Sequence, residues 1–364
     1  MNVCIIGEGL TALSLAKSLI NKKINVHYYY KSRNSNFSSN RTIGISKSNF
    51  EFFKEKIFQI SKNNYWKINR IEIYTDKIDT ENLLKFENDK NDLFYIIKND
   101  ELLKSLNSNL IKSKFFKKII LKKDINEESL NKKEYDLIIN CDANNFLAKK
   151  YFTKKISKNY YNLAYTTILK HKKIENNTAT QIFTKQGPIA FLPISSTETS
   201  VVYSVDIKNK KFDNTDVIDL INKNNPKYKI NKIDKLNSFE LISSNLRNYH
   251  HKNILAFGDM LHRVHPLAGQ GFNMTIRDLI ILTKIIEDKI ELGIQLDSSI
   301  LDEFEKKTKD KNFVFSKAID LIYESFNLDK KVQNKSFSKI LKSIGKNKNL
   351  NNYFIKLADI GINF

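Results

Sequence analysis

Glycine is scarce in this chain, 10 residues of 364, where an average protein of this length would carry roughly 25. A composition rich in Lys, Asn and Ile has replaced glycine almost everywhere it could. The survivors therefore mark backbone that must approach something closely. Five of the ten fall in two stretches: Gly7 and Gly9 in NVCIIGEGLTALSLAKSLI, and Gly258, Gly269 and Gly271 in ILAFGDMLHRVHPLAGQGFNMTIRDLIIL.

Other absences narrow the class. Only two cysteines are present, Cys4 and Cys141, each in or at the end of an apolar strand-like run, so they read as buried free thiols rather than a disulfide or a metal pair. No apolar run approaches the roughly 18 to 20 residues of a membrane span. The chain opens directly on a strand with no charged leader, and a cytoplasmic location is the expectation. Arginine is limited to Arg33, Arg41, Arg70, Arg247, Arg263 and Arg277, so the net charge of +21 comes from lysine. Two readings of that charge stand side by side. One is a compositional drift that spreads a solvated positive surface. The other is attraction to an anionic membrane surface, at about 1 kcal/mol per nearby basic residue. Nucleic acid is not expected as a partner, because there is no zinc spacing, no basic-aromatic motif and little arginine.

What is present is a large apolar fraction, 41%, enough for about two domains. Residues 2 to 6 form an apolar strand that opens onto Gly-Glu-Gly, and Leu10, Leu13, Leu15, Ala16 and Leu19 follow at helical spacing. INVHYYY at 24 to 30 completes a βαβ start, with Tyr28 to Tyr30 read as core strand. NSNFSSN at 34 to 40 reads as loop, KSNFEFFKEK as helix, RIEIYTD at 70 to 76 as strand, and FYIIK at 94 to 98 as a strand followed by a helix. EYDLIINCDA, from 134 to 143, is an apolar strand ending in acid. From about 158 to 206 the pattern is all-β, which marks a second domain inserted into the first. After a helix near 214 to 223, NILAFGD at 253 to 259 returns to the first sheet, and the remainder is helical.

In Gly7-x-Gly9-x-x-Ala12, the first glycine permits a sharp turn, the second lets a pyrophosphate approach the backbone, and the small third residue lets helix and strand pack closely. Phosphate then meets the amino end of a helix. The acid that usually binds ribose hydroxyls about 20 residues on is missing: nothing acidic lies between Glu8 and Glu51, and Tyr30 stands in its place. In the second stretch, Gly258-Asp259 ends a strand, a loop carries His262, His265 and Pro266, and Ala268-Gly269-Gln270-Gly271 opens a helix through Asn273, Arg277 and Asp278. An acid at a strand end can accept hydrogen bonds from a polyol. Amides at a helix start offer donors and positive dipole to an anionic ring edge, which is what a reduced flavin requires.

On GDMLHRVHPLAGQGFNMTIRDL, together with NRTIGIS, QIFTKQGPIAFLPI and FELISSNLRNYHHKNILAFGD in the same order, the chain resembles the flavin-dependent aromatic hydroxylases, in particular the branch that hydroxylates polyprenylated phenols in ubiquinone biosynthesis. The resemblance spans most of the chain. It implies an α/β fold: a Rossmann-like FAD-binding domain of glutathione-reductase type (1–65, 96–150 and 245–330), an inserted mixed-sheet substrate domain (66–95 and 151–244) and carboxyl-terminal helices (331–364). By the same resemblance Gly7, Gly9 and Ala12 hold the diphosphate, Arg41 a flavin phosphate or ribityl oxygen, and Gly258-Asp259 the ribityl chain. Pro266, Ala268, Gly269, Gln270, Gly271 and Asn273 would line the isoalloxazine. The implied chemistry is reduction of FAD by NADPH or NADH, addition of O2 to give a flavin C4a-hydroperoxide, and oxygen transfer to an electron-rich phenol ring. No general base is assigned, and His262 and Pro266 are flavin-loop candidates. The implied partners are a prenylated phenol and O2, with an anionic membrane surface on the inner face and other quinone-biosynthesis proteins as further classes.

The chain also departs from the family. The motif Asp-Gly-x-x-Ser-x-x-Arg reads here Asp142-Ala143-Asn144-Asn145-Phe146-Leu147-Ala148-Lys149, keeping the acid but losing Gly, Ser and Arg, and Thr275 replaces a glycine. These departures leave two alternatives beside the main reading: a hydroxylase of a small soluble aromatic, and a catalytically degenerate flavoprotein scaffold in a quinone-synthesis complex. Of the remaining residues, His250 and His251 read as a solvated turn, and Gly187-Pro188 as a structural turn before a strand. Phe337, Ile340, Leu341, Ile344, Tyr353, Phe354, Ile355 and Leu357 form apolar faces of basic amphipathic helices, either packed on the domain or seated on a membrane.

Overall fold

The computed structural model describes residues 1–31, 41–75, 82–87, 92–121, 125, 130, 135–208, 212–332 and 347–361. The loop expected at 34–40 and the apolar positions Phe337, Ile340, Leu341 and Ile344 lie outside these residues.

Strands covered on both faces read as near-continuous apolar runs, and Asn2–Ile6 and Leu137–Asn140, apart from their terminal asparagines, are of this kind. They lie side by side in a six-stranded sheet ordered His250–His251, Ile254–Ala256, Leu137–Asn140, Asn2–Ile6, Asn25–Tyr30, Phe116–Ile120. All neighbours run parallel except the two-residue edge strand. From the central strand the chain turns at Gly7 and Gly9 into the first helix, Leu10–Asn21. That helix buries Leu13, Leu15, Ala16 and Leu19 because the sheet and the helices Asn99–Leu110 and Gln270–Glu291 all pack against it. Burial of Leu15 and Leu19, both at 0% exposure, stabilises the fold by about 2 kcal/mol each.

The second sheet has nine strands and is mixed. Its spine is Lys155–His171, paired antiparallel with Glu198–Asp206 and Asn237–Leu246. Thr178–Thr184 runs parallel to Arg70–Thr75, which carries an earlier chain segment into this sheet. One face is covered by the helix Asn214–Lys223, started by a reciprocal Asp213/Asp216 capping box and buried through Val217 and Ile221. The opposite face sets Tyr160, Phe183 and Leu241 against Leu267, Met274, Phe315, Ile319 and Tyr323. A three-stranded sheet, Thr42–Ser46, Phe94–Lys98 and Trp66–Ile68, lies beside the start of the helix Gln270–Glu291. The expected helix after Ser46 forms as Lys47–Phe52 and continues as a π-turn through Ile57.

Two expectations are corrected. His250 and His251 are a strand rather than a solvated turn: the long helix Ser299–Val332 brings Asp302 to 3.1 Å from His250 Nε2, and the ring of His251 stacks on Tyr151 at 4.1 Å. Cys4 is buried as expected, but Cys141 is only half-buried, because it follows its strand into a cleft. Gly187 is structural as read, at φ +140° with its carbonyl accepting from Thr184 Oγ1 at 2.7 Å.

Candidate cofactor site

The site begins with unpaired backbone. The first helix is preceded by Gly9, which offers no side-chain cap, and no acid lies in its first turn. Its leading N–H groups and positive dipole therefore face outward, ready for an anion. Nothing lies within 4 Å of where a Cβ on Gly9 would stand. Gly7, at φ +145°, is enclosed instead: an added Cβ would meet Cys141 Cβ at 3.0 Å and Ala12 Cβ at 3.6 Å. Ala12 keeps helix and strand in contact, as its small size suggests.

Around this turn lies a cleft of about 260 Å³ whose lining includes Gly7, Glu8, Tyr30, Lys31, Cys141, Asp142, Asp259 and Arg263. The two distant glycine stretches meet here. Gly258, at φ +69°, packs against Thr11 so closely that a Cβ would fall 2.5 Å from Thr11 Cγ2, and this contact delivers the exposed Asp259 to the cleft. Asp142 is held by asparagines rather than by the residues the motif usually carries. Its amide donates to Asn140 Oδ1 at 3.1 Å, its carboxylate accepts from Asn144 N at 2.9 Å, and Asn145 caps the following helix through Ala148 N. Burial, together with the charges of Asp259 and Asp142, pushes the Cys141 thiol well above its ordinary value. It stays protonated and takes no nucleophilic part at neutral pH.

The loop expected at the ring end lies apart from this cleft, against the small sheet. Pro266 precedes a short 3₁₀ turn, Leu267–Gly269, whose backbone includes Ala268, and Gly269 at φ +62° precedes the helix that Gln270 and Gly271 begin. A Cβ on Gly269 would stand 3.8 Å from Gly44 Cα and 3.5 Å from Phe94 Cζ. Asn273 is fully buried and clamps the two elements: its amide donates to Gly44 O at 2.9 Å and Gly269 O at 3.1 Å, while its Oδ1 accepts from Ser46 N at 2.9 Å. Arg41 is exposed at the start of Thr42–Ser46 and does not line the cleft.

The two loop histidines differ. His262 Nε2 lies 2.6 Å from Asp278 Oδ2, and Asn312 Nδ2 donates to Asp278 Oδ1 at 2.9 Å, so this buried trio ties the loop to two helices. His265 is equally buried, but neither ring nitrogen has a hydrogen-bond partner among the described residues. Arg277, beside Asp278, lies over the Phe315 ring at 4.3 Å. Burial lowers its pKa to about 10 against the opposing pull of Asp278 and Asp359, so it remains charged at neutral pH.

Comparison with known proteins bears on what this cleft receives. A family model described as "FAD binding domain" matches residues 159–310. The ubiquinone biosynthesis monooxygenase COQ6 of Caenorhabditis elegans is 24% identical, over 80% of this chain and 78% of its own length. The chain is similar to an FAD-binding domain over residues 159–310 and to this monooxygenase over most of its length. It spans about half the length of some other curated relatives. Among solved structures, p-nitrophenol 4-monooxygenase from Pseudomonas putida matches with a TM-score of 0.77 at 12% identity, covering 99% of this chain and 98% of that one. Klebsiella pneumoniae HpxO, solved with FAD and uric acid, matches with a TM-score of 0.76 at 13% identity, over 98% and 96%. These likenesses show a shared fold.

The residues present fit the adenosine diphosphate part of FAD. There is open space over Gly9 at an uncapped helix start, with Lys31 and Arg263 as cations and Asp142 and Asp259 as acceptors. Lys31 and Arg263 were not singled out from the sequence. A signal existed for Arg263: in a chain with six arginines, one next to the glycine-rich loop carries the same information as a surviving glycine.

Proposed function

We propose that the protein is a FAD-dependent monooxygenase that hydroxylates the ring of a polyprenylated phenol in ubiquinone biosynthesis, using NADPH or NADH and O2. The observation that carries this reading is the contact of Gly258 with Thr11, which puts Asp259 and the Gly7 turn on one cleft. Its support from relatives is the likeness to an enzyme named for ubiquinone biosynthesis. When bound, FAD supplies the redox and oxygen-activating chemistry.

In this reading the residues bind, orient and exclude water. Amides at the start of Leu10–Asn21, with Arg263 nearby, hold the diphosphate, and Asp259 accepts from the ribityl hydroxyls. Asn273 fixes the distance between the Pro266–Gly271 loop and Gly44, the edge along which the isoalloxazine would lie. The apolar surface of Leu267, Met274, Phe183 and Phe315 keeps water from the substrate side.

A peripheral seat on an anionic membrane belongs to the same reading. No helix among the described residues is long and apolar enough to cross a membrane, yet the helix Ser299–Val332 exposes Phe313, Val314, Leu321, Ile322 and Leu328 in a lysine-rich chain.

The test is purification with FAD, then NAD(P)H oxidation with and without a prenylphenol, and mass analysis of the product. Yellow protein whose NAD(P)H oxidation is stimulated and whose product gains one oxygen atom supports the proposal. Colourless protein that gains no thermal stability from FAD favours the scaffold alternative, and turnover of only a soluble phenol favours the small-aromatic one.

A further inference from the structure

The loop that carries the proposed ring-binding residues also carries an imidazole with nothing to bind. His265 has 1% exposure, and neither Nδ1 nor Nε2 has a hydrogen-bond partner among the described residues. Burying a donor and an acceptor without partners costs a few kcal/mol, and such a group in a native protein calls for a compensating role, a bound molecule or an ordered water. The neighbours do not relieve it. Tyr160 meets the ring edge-on at 5.0 Å and Tyr323 stacks on it at 4.3 Å, but both hydroxyls are engaged elsewhere: Tyr160 donates to Asp320, and Tyr323 OH donates to the side-chain amide oxygen of Asn162 at 2.8 Å. The two tyrosines frame the imidazole without satisfying it. His262, three residues earlier, pairs Nε2 with Asp278 and leaves only Nδ1 without a partner among the described residues.

The surroundings define what would complete it. His265 lies against Tyr160 of the strand Lys155–His171 and Tyr323 of the long helix Ser299–Val332, and these two rings belong to a buried apolar cluster with Leu241, Leu267, Met274 and Ile319. Apolar, aromatic surroundings with one unpaired hydrogen-bonding ring match a molecule that is apolar except for one hydroxyl. We propose that His265 is the residue that recognises the substrate's phenolic hydroxyl, accepting its hydrogen bond at one ring nitrogen. This rests on the monooxygenase reading above and extends it to a named contact. Burial, with Lys158 nearby, lowers the pKa of His265 to about 3. The ring is neutral at physiological pH and keeps a lone pair for the hydroxyl. A base this weak binds the proton donor rather than removing its proton. The hydrogen bond draws the O–H toward the imidazole and leaves more electron density on the ring carbons.

The test compares a phenol carrying one dimethylallyl group with its methyl ether, which lacks the donated proton. Binding to the FAD-loaded protein is measured by calorimetry, so the readout does not depend on the flavin spectrum. The wild type is expected to favour the phenol about tenfold, the size of one buried hydrogen bond. His265→Leu, which keeps similar volume, should bind the two within about twofold of each other while holding FAD as the wild type does. His265→Gln, whose amide retains an acceptor, should keep part of the preference. In the unmutated protein, the imidazole ¹⁵N resonances of His265 should shift with the phenol and not with the ether, a readout independent of how the leucine variant folds. Equal preference in wild type and His265→Leu, no preference in the wild type, or unmoved imidazole resonances would overturn the assignment. Protein that binds no FAD fails at the earlier reading, so the two failures are distinguishable.

Discussion

Gly258 and Thr11, 247 positions apart in sequence, are in such close contact that a methyl on Gly258 would come within 2.5 Å of Thr11 Cγ2. This contact joins the strand end that presents Asp259 to the helix start that offers its amides. Gly258→Ala must both hold φ +69° with a side chain and displace Thr11, together costing about 2 kcal/mol. The expected result is a lower melting temperature and FAD binding weakened about tenfold or more. Thr11→Ser removes the obstructing methyl, so the double variant should recover part of the affinity. Recovery of none would mean that Thr11 is not the obstacle.

How much of this was legible in sequence varies with the physics. The Gly7 turn, the inserted β-rich segment and the return of Ile254–Ala256 to the first sheet follow from periodicity and turn chemistry, which are local. The site was legible where residue type alone dictates geometry, as at Gly7 and Gly258. It was not legible where a role depends on a partner far along the chain. Sequence places Arg277 and Asp278 side by side on one helix and does not separate their roles, yet Asp278 is buried between His262 and Asn312 while Arg277 lies over Phe315. Asn273 reads as a ring-lining amide in sequence, but in the fold its bonds go to Gly44, Gly269 and Ser46.

Asp259 lines the cleft from an exposed position and bonds to no described side chain that would need it for folding. Asp259→Ala should therefore leave far-ultraviolet circular dichroism unchanged while the visible absorbance of the purified protein falls to a small fraction of the wild type. Unchanged absorbance would remove Asp259 from the cofactor site.

Asp278 presents the opposite case, since its truncation strands His262 and Asn312 as buried polar groups. Asp278→Ala should cost about 3 kcal/mol in urea unfolding. Asp278→Asn, which keeps an acceptor, should cost less. A loss below about 1 kcal/mol for the alanine variant would mean that the trio contributes little net stability.

His265 also sets a pH dependence. Its pKa is about 3 in the folded protein against 6.5 ordinarily, so below pH 6.5 the unfolded chain takes up a proton that the folded one refuses. Its contribution is fully present above pH 6.5 and lost as pH falls toward 3, amounting to about 2 kcal/mol by pH 5. Between pH 7 and 5, His265→Gln should lose about 2 kcal/mol less stability than the wild type in parallel urea titrations. Equal losses would show that His265 is protonated in the fold near its ordinary pKa.

The carboxyl-terminal helix Lys348–Ile360 is fastened at its last turn by Asp359, whose carboxylate accepts from Ser48 N at 2.8 Å and Ser48 Oγ at 2.6 Å. Ser48 lies in the first turn of Lys47–Phe52, so the carboxylate meets unpaired amides and a favourable dipole, together worth about 1 to 2 kcal/mol. Ser46 Oγ donates to Asp359 O at 3.0 Å, and Ser46 N is the donor that Asn273 Oδ1 accepts. The latch therefore bears on the strand against which the Pro266–Gly271 loop packs. Asp359→Ala should raise hydrogen exchange at the Ser48 amide about tenfold and speed proteolysis near Lys348–Ile360, with a small change in global melting temperature, because the opening is local. Ser48→Ala should reproduce part of the effect, and the double variant should add little to Asp359→Ala, as expected of two partners in one interaction. Fully additive effects would mean that Asp359 and Ser48 stabilise the protein separately rather than through one shared contact.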